Sequence, residues 1–199
     1  EAEVRRIGQS IAKYPPEPAA APNLKANSQI GLIKELADAI RGEDYFAQDA
    51  GKRLYRYEQG RYLPDGAEFV RRRVKSLLEQ RNQSKSWSTR LANEVAEYIR
   101  VDAPMLWESP PLDVLNLKNG LLDLKTNTLH EHSPDHLSSM QLPVSYDPAA
   151  ECPEWEKFVN DTFPDDAKET PWEIIAWLMI PDTSHHMAIM LVGEGSNGK

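Results

Sequence analysis

Three stretches in the first hundred residues place apolar side chains three and four positions apart, the period of a helix with one buried face. Ile30, Ile33, Leu36, Ala37 and Ile40 predict a helix starting after Ser28 and stopping near Gly42. Val70, Val74, Leu77 and Leu78 predict a second, to about Gln80, with Asp65 and Glu68 spaced as a capping box. Leu91, Val95, Tyr98 and Ile99 predict a third. Ahead of them, Val4, Ile7 and Ile11 mark a short amphipathic helix over residues 1–14. Pro15, Pro16, Pro18 and Pro22 then exclude helix and sheet interiors and read as an extended linker over 15–27. Between the first two long helices the period changes. Leu54, Tyr55 and Tyr57 on one side of Gln59-Gly60, and Tyr62 on the other, predict a β-hairpin.

The second half alternates breakers and short apolar runs. After Pro104 and Pro110-Pro111, Asp113–Leu117 reads as a strand and Asn119-Gly120 as a tight turn. Leu121–Leu124 and Leu129–His132 predict another hairpin around Lys125–Thr128. Gln141–Pro148 is extended. Pro153 opens a helix that turns Trp155, Phe158 and Val159 inward. Thr170-Pro171-Trp172-Glu173 has the spacing of a second capping box, and the helix it starts is apolar on nearly every side, as in a buried helix. Met187–Met190 then reads as a buried strand. The expected fold class is α+β: mixed helices and small antiparallel hairpins, followed by the first helix and strand of an α/β domain. The expected division is 1–14 as the end of a preceding module, 15–27 as linker, 28–150 as a helical and hairpin domain, and 151–199 as the start of a nucleotide-binding domain.

Composition changes this picture in two places. The net charge of −8 argues against a nucleic-acid partner, yet it is unevenly spread. Residues 51–100 hold 12 Lys/Arg against 6 Asp/Glu, while residues 101–199 hold 5 against 17. Arg71, Arg72 and Lys75 fall opposite the apolar face of their helix, and Arg81, Lys85 and Arg90 follow at its junction with the next. Such a rim suits a phosphate backbone and suits an ordinary solvated face equally well. Tyr55, Tyr57 and Tyr62 beside Arg53, Arg56 and Arg61 could stack on bases, but cross-strand packing explains them more simply. The one cysteine, Cys152, excludes an internal disulfide framework and fits a reducing compartment. No apolar run is long enough for a membrane span. His130, His132 and His136 lack a clear fourth ligand, so no metal is expected there.

The last residues carry the most specific signal. Gly193, Glu194, Gly195, Ser196, Asn197, Gly198 and Lys199 match G-x-x-x-x-G-K, directly after an apolar run. Glycines let the backbone curl round phosphates with its N–H groups inward, and the lysine reaches the β- and γ-phosphates of ATP.

The order of features resembles one family. Asp113–Leu124 (DVLNLKNGLLDL), His132–Asp135, Gln141–Pro148 (QLPVSYDP), Cys152–Trp155 and GEGSNGK are similar to the primase-helicases of phages and plasmids, to which poxvirus primase-helicases are distantly related. Residues 1–14 are similar to the short module that ends the primase part. The resemblance implies a linking, collar-like domain leading into a superfamily 3 helicase of AAA+ type. It implies ATP with Mg²⁺ at Gly193–Lys199, a hexameric ring of this chain on single-stranded DNA, a primase domain in the same polypeptide, and the cytoplasm of a bacterial host. The Mg²⁺-binding Ser/Thr, the acidic strand, the sensor and the arginine finger of that motor do not occur up to Lys199, so residues 1–199 alone are expected not to hydrolyse ATP. The alternative is a non-enzymatic DNA-binding or oligomerisation module with an inert P-loop remnant. No Ser/His/Asp set or carboxylate pair suggests other chemistry.

Overall fold

A computed structural model describes residues 24–182, 188–190 and 192 of the chain. Among these, α1 (Leu24–Arg41), α2 (Gly66–Gln80) and α3 (Thr89–Asp102) pack on one another and on a three-stranded antiparallel sheet. That sheet is β1 (Phe46–Gln48), β2 (Leu54–Glu58) and β3 (Arg61–Leu63) in sequence order. Leu36, Ala37 and Ile40 of α1, Val70, Val74 and Leu78 of α2, and Val95 of α3 are wholly buried in one cluster. Phe46 and Leu54 bring the sheet into it. The helical stripes read from the sequence are therefore the core, except that Ile30 is 62% exposed.

Each local signal had a physical outcome. α1 begins at Leu24 rather than after Ser28, because Leu24, Lys25 and Ala26 are good helix formers lying beyond Pro22. The Gln59-Gly60 turn holds both residues at positive φ, 49° and 88°, the primed two-residue turn whose twist suits a hairpin. β1 escaped the sequence reading because three residues show no period; it pairs with β2 through Ala47 opposite Tyr55. Neither capping box forms. The Asp65 side chain makes no cap bond to α2; it accepts from Arg56 Nε at 2.9 Å instead, a charged partner outcompeting a backbone N–H. The true side-chain cap is Ser88, which accepts from the Leu91 N–H at 3.1 Å and starts α3.

The second sheet is β4 (Val114–Leu117), β5 (Gly120–Asp123) and β6 (Thr128–His130), again antiparallel in order. The turn between β4 and β5 is Lys118-Asn119, one residue before the expected Asn119-Gly120, since Leu117 faces Gly120. Gly120 has φ +155°, and a Cβ there would come within 2.3 Å of the His130 carbonyl oxygen, so the position needs glycine as a strand residue. Gln141–Tyr146 runs alongside β4 in the same direction. The Leu142 N–H donates to the Asn116 carbonyl and the Lys118 N–H to the Val144 carbonyl, at 2.8 and 2.9 Å. Leu115, Leu117 and Leu122 with Leu129, Leu142 and Tyr146 make a small second core.

Two helices follow, α4 (Pro153–Thr162) and α5 (Thr170–Met179), joined edge to face by Trp155 and Trp172 with centroids 5.9 Å apart. Val159 is buried as expected. α5 departs from its sequence reading. Glu169, not Thr170, precedes the helix, no side chain caps it, and Trp172, Ile175, Leu178 and Met179 are exposed, Leu178 by 67%. The described residues supply no second layer for that face, so an apolar composition alone did not bury it. Nor do Ala188, Ile189 and Met190 form the expected buried strand. They are irregular and exposed, and no described strand lies beside them to complete a ladder. The helix over 1–14 and the phosphate loop at 193–199 fall outside the described residues.

Candidate nucleic-acid interface

The basic rim lies where the helical period puts it, on the outer face of α2 and across the connection to α3. Arg72 and Lys75 are exposed and Arg71 half-buried on α2, Arg81 follows at its C-terminus, Lys85 sits in the 3₁₀ turn Ser84–Ser86, and Arg90 is in the first turn of α3. The structure also places acids among them. Arg71 Nη1 is 3.2 Å from Glu68, and its Nε donates to Asn93 at 2.8 Å across to α3. Arg81 pairs with Glu35 of α1 at 2.8 Å, and Arg90 with Glu94 one turn on at 2.8 Å. Arg72 and Lys75 reach Asp65 and Glu79 only at 3.8 and 4.0 Å. Lys85 makes no ion pair among the described residues. The hydrogen bond from Arg90 holds the Glu94 carboxyl below its usual range. Exposed pairs of this kind contribute little, being screened by water and salt, so a phosphate can displace the carboxylate at small cost.

The hairpin tyrosines resolve differently from the rim. Tyr62 is buried, with its hydroxyl donating to the Pro134 carbonyl at 2.7 Å. Burial, with smaller contributions from Tyr57, Asp135 and Tyr45, pushes its hydroxyl up to about 12. Tyr57 packs against Tyr62 and Tyr45 at 5.3 and 6.3 Å between centroids. Neither ring is free to stack on a base. Arg56 lies over Phe69, with both ends of its guanidinium on Glu58 at 2.9 Å.

The two sheets meet at the tips of their hairpins. The Asn116 side-chain amide donates to the Gly60 carbonyl, and Gln141 Nε2 donates to the Gln59 carbonyl at 2.9 Å. A Cβ on Gly60 would lie 2.4 Å from the His132 ring, so the turn rests on the imidazole. His132 Nε2 is 2.8 Å from the Leu117 carbonyl, which can only accept, so that nitrogen carries the proton. His136 is buried with its ring edge-on to Trp107 at 5.0 Å, and burial, with His132 adding to it, pulls its imidazole below the usual range. His130 stands on β6, exposed. The histidines thus serve the seam, and no group of three His, Cys, Asp or Glu among the described residues is placed to hold a metal.

Sequence reasoning passed over Lys118 and named Arg61 only as a neighbour of the hairpin tyrosines; the docked hairpins bring the two to one groove. The available signal was position: each sits in or directly after a tight hairpin turn. No helix among the described residues is long and apolar enough to cross a membrane.

Compared with known families, residues 33–164 match the model of the family described as D5 N terminal like. That span takes in the second half of α1, both sheets and α4, and stops short of Gly193–Lys199. No curated protein matches the chain.

Proposed function

Because the chain belongs to the D5 N-terminal-like family, we propose that it is the linking part of an ATP-dependent replicative DNA primase-helicase of a phage or mobile element. In this reading residues 28–150 form a collar between a primase domain and a hexameric helicase motor, and the collar contacts single-stranded DNA. Residues 151–199 begin the motor. One observation carries the reading: the matched domain is followed, in the same chain, by the phosphate-loop pattern Gly193–Lys199.

The residue types at that pattern suit nucleotide phosphates. The backbone N–H groups of the loop from Gly193 to Gly198 would cradle the phosphate oxygens, and Lys199 would neutralise charge at the β- and γ-positions. The Mg²⁺ that accompanies ATP takes a Ser or Thr hydroxyl from the position directly after the lysine of this motif, together with carboxylate oxygens. At the other end, the exposed cations from Arg71 to Arg90 support sequence-independent binding, since phosphate contacts position a strand without reading its bases.

The codons that follow Lys199 test this directly. A Ser or Thr at once, then within about 100 residues an apolar strand ending in paired acids, is the expected result, that being about the length needed to finish a small α/β core. A stop codon there overturns the motor and leaves a DNA-binding or assembly module.

A further inference from the structure

The groove at the seam of the two sheets is a different kind of surface from the helical rim. It has a volume of about 510 Å³, and Gln59, Arg61, Lys118, His132, Gln141 and Ser145 line it. Its lining includes two full positive charges and no carboxylate. In a chain of net charge −8 that is a local inversion of sign.

Both cations are uncommitted. Arg61 faces Glu58 across the hairpin, which would ordinarily pair them. Arg56 has taken both oxygens of Glu58, at 2.9 Å each, so the Arg61 guanidinium is left without a carboxylate among the described residues. Lys118 is exposed in the β4–β5 turn and likewise makes no ion pair among the described residues. The rim cations Arg71, Arg81 and Arg90 each have an acid within 3.2 Å, and these two do not.

The groove is also held in shape before any ligand arrives. Arg61 follows a turn pinned by the bonds from Asn116 and Gln141 and by the ring of His132 beneath Gly60. The Lys118 backbone is tied to Val144 at 2.9 Å. Preorganised walls reduce the ordering cost of binding.

The geometry points to a phosphate-binding groove at Arg61 and Lys118 that takes the phosphodiester backbone of a nucleic-acid strand. Two cations lining one open groove suit a repeating anion better than a single one, because each neutralised phosphate releases counterions along a polyanion. Free inorganic phosphate shares the chemistry and is the other possible source. The strand assignment rests on the proposed function, while the anion site does not.

The test titrates the full chain into a fluorescein-labelled oligothymidylate of about 20 nucleotides, enough to span one small domain's binding site, and repeats the titration across salt. Arg61→Glu with Lys118→Glu should weaken binding at least tenfold and lower the salt slope by about 1.4, the value for two phosphate contacts on a single strand. Arg61→Gln with Lys118→Gln should give a smaller loss in the same direction, with an unchanged thermal midpoint reporting an intact fold. Lys157→Glu, on the exposed face of α4, serves as control and should leave binding as it was. Unchanged affinity and slope in the double reversal, with binding lost instead on reversing Arg71, Arg72 and Lys75, overturns the groove and leaves the proposed function standing. Competition by millimolar inorganic phosphate at constant ionic strength overturns the strand assignment. A wild-type chain that binds no oligonucleotide at low salt overturns the groove's assignment and the collar's DNA contact together.

Discussion

The side-chain amide of Asn116 donates both its hydrogens, to the Gly60 carbonyl at 2.8 Å and to the Met140 carbonyl at 3.0 Å. Asn116 is 7% exposed, so these bonds join the two sheets where water cannot substitute freely. Replacing it with Ala leaves the buried Gly60 carbonyl and the part-buried Met140 carbonyl without this donor. Asn116→Ala should therefore cost about 1–3 kcal/mol, read as a lower denaturant midpoint at unchanged slope. A change below about 0.5 kcal/mol, the ordinary surface range, would show that the sheets are held by something else.

Gly60 and Gly31 make opposed predictions. Gly60 has φ +88°, and a Cβ would strike the His132 ring at 2.4 Å. Gly60→Ala should destabilise by more than about 1 kcal/mol, since both the backbone and the contact oppose it. Gly31 lies inside α1 with nothing within 4 Å of its Cβ position. Gly31→Ala should stabilise by roughly 0.5–1 kcal/mol through helix propensity. Thermal midpoints moving the same way in both variants would contradict this account.

What the sequence made legible follows the range of the forces involved. The α1, α2 and α3 stripes were visible because burial repeats every three to four residues, and the hairpins because Gln59-Gly60 and Asn119-Gly120 mark turns locally. Register to one residue was not, which is why the second turn falls at Lys118-Asn119. The capping box at Asp65 failed for a non-local reason: Arg56, on another element, binds the Asp65 side chain. α5 looked buried because composition records how apolar a helix is, not what covers it. At the candidate interface, the rim cations were found from their helical position. Their acids Glu35 and Asp65, and the meeting of Arg61 with Lys118, depend on tertiary packing that no spacing encodes.

The rim has its own test. If Arg71, Arg72 and Lys75 touch a strand, their joint reversal to Glu should weaken single-stranded DNA binding and lower its salt slope by about 2, three contacts' worth. Anisotropy titrations at several salt concentrations read both quantities. Equal affinity and slope in variant and wild type would leave the rim as a solvated, self-paired face.

The helical core makes a prediction about magnitude. Leu78 is wholly buried among α1, α2 and α3, while Ile30 is 62% exposed on α1. Leu78→Ala should cost about 2–5 kcal/mol, because the lost contacts leave a cavity. Ile30→Ala should stay within about 0.5 kcal/mol. Denaturant unfolding of the two variants in parallel checks the contrast, and similar losses would mean that Ile30 is covered in solution.

His136 ties stability to pH. Its imidazole is 7% exposed, edge-on to Trp107 at 5.0 Å, and burial then His132 hold it below its ordinary 6.5. The unfolded chain therefore binds a proton at a pH where the folded chain does not. The resulting stability is complete above the unfolded value and is lost as pH falls from about 6.5 toward the lower folded value. The thermal midpoint, followed by far-UV circular dichroism, should drop as pH is lowered from about 7 to about 5.5. His136→Phe keeps an aromatic edge on Trp107 and removes the proton site, so its midpoint should fall less over the same window, with His130 and His132 still present in both proteins. Parallel pH profiles would show that the acid sensitivity does not come from His136.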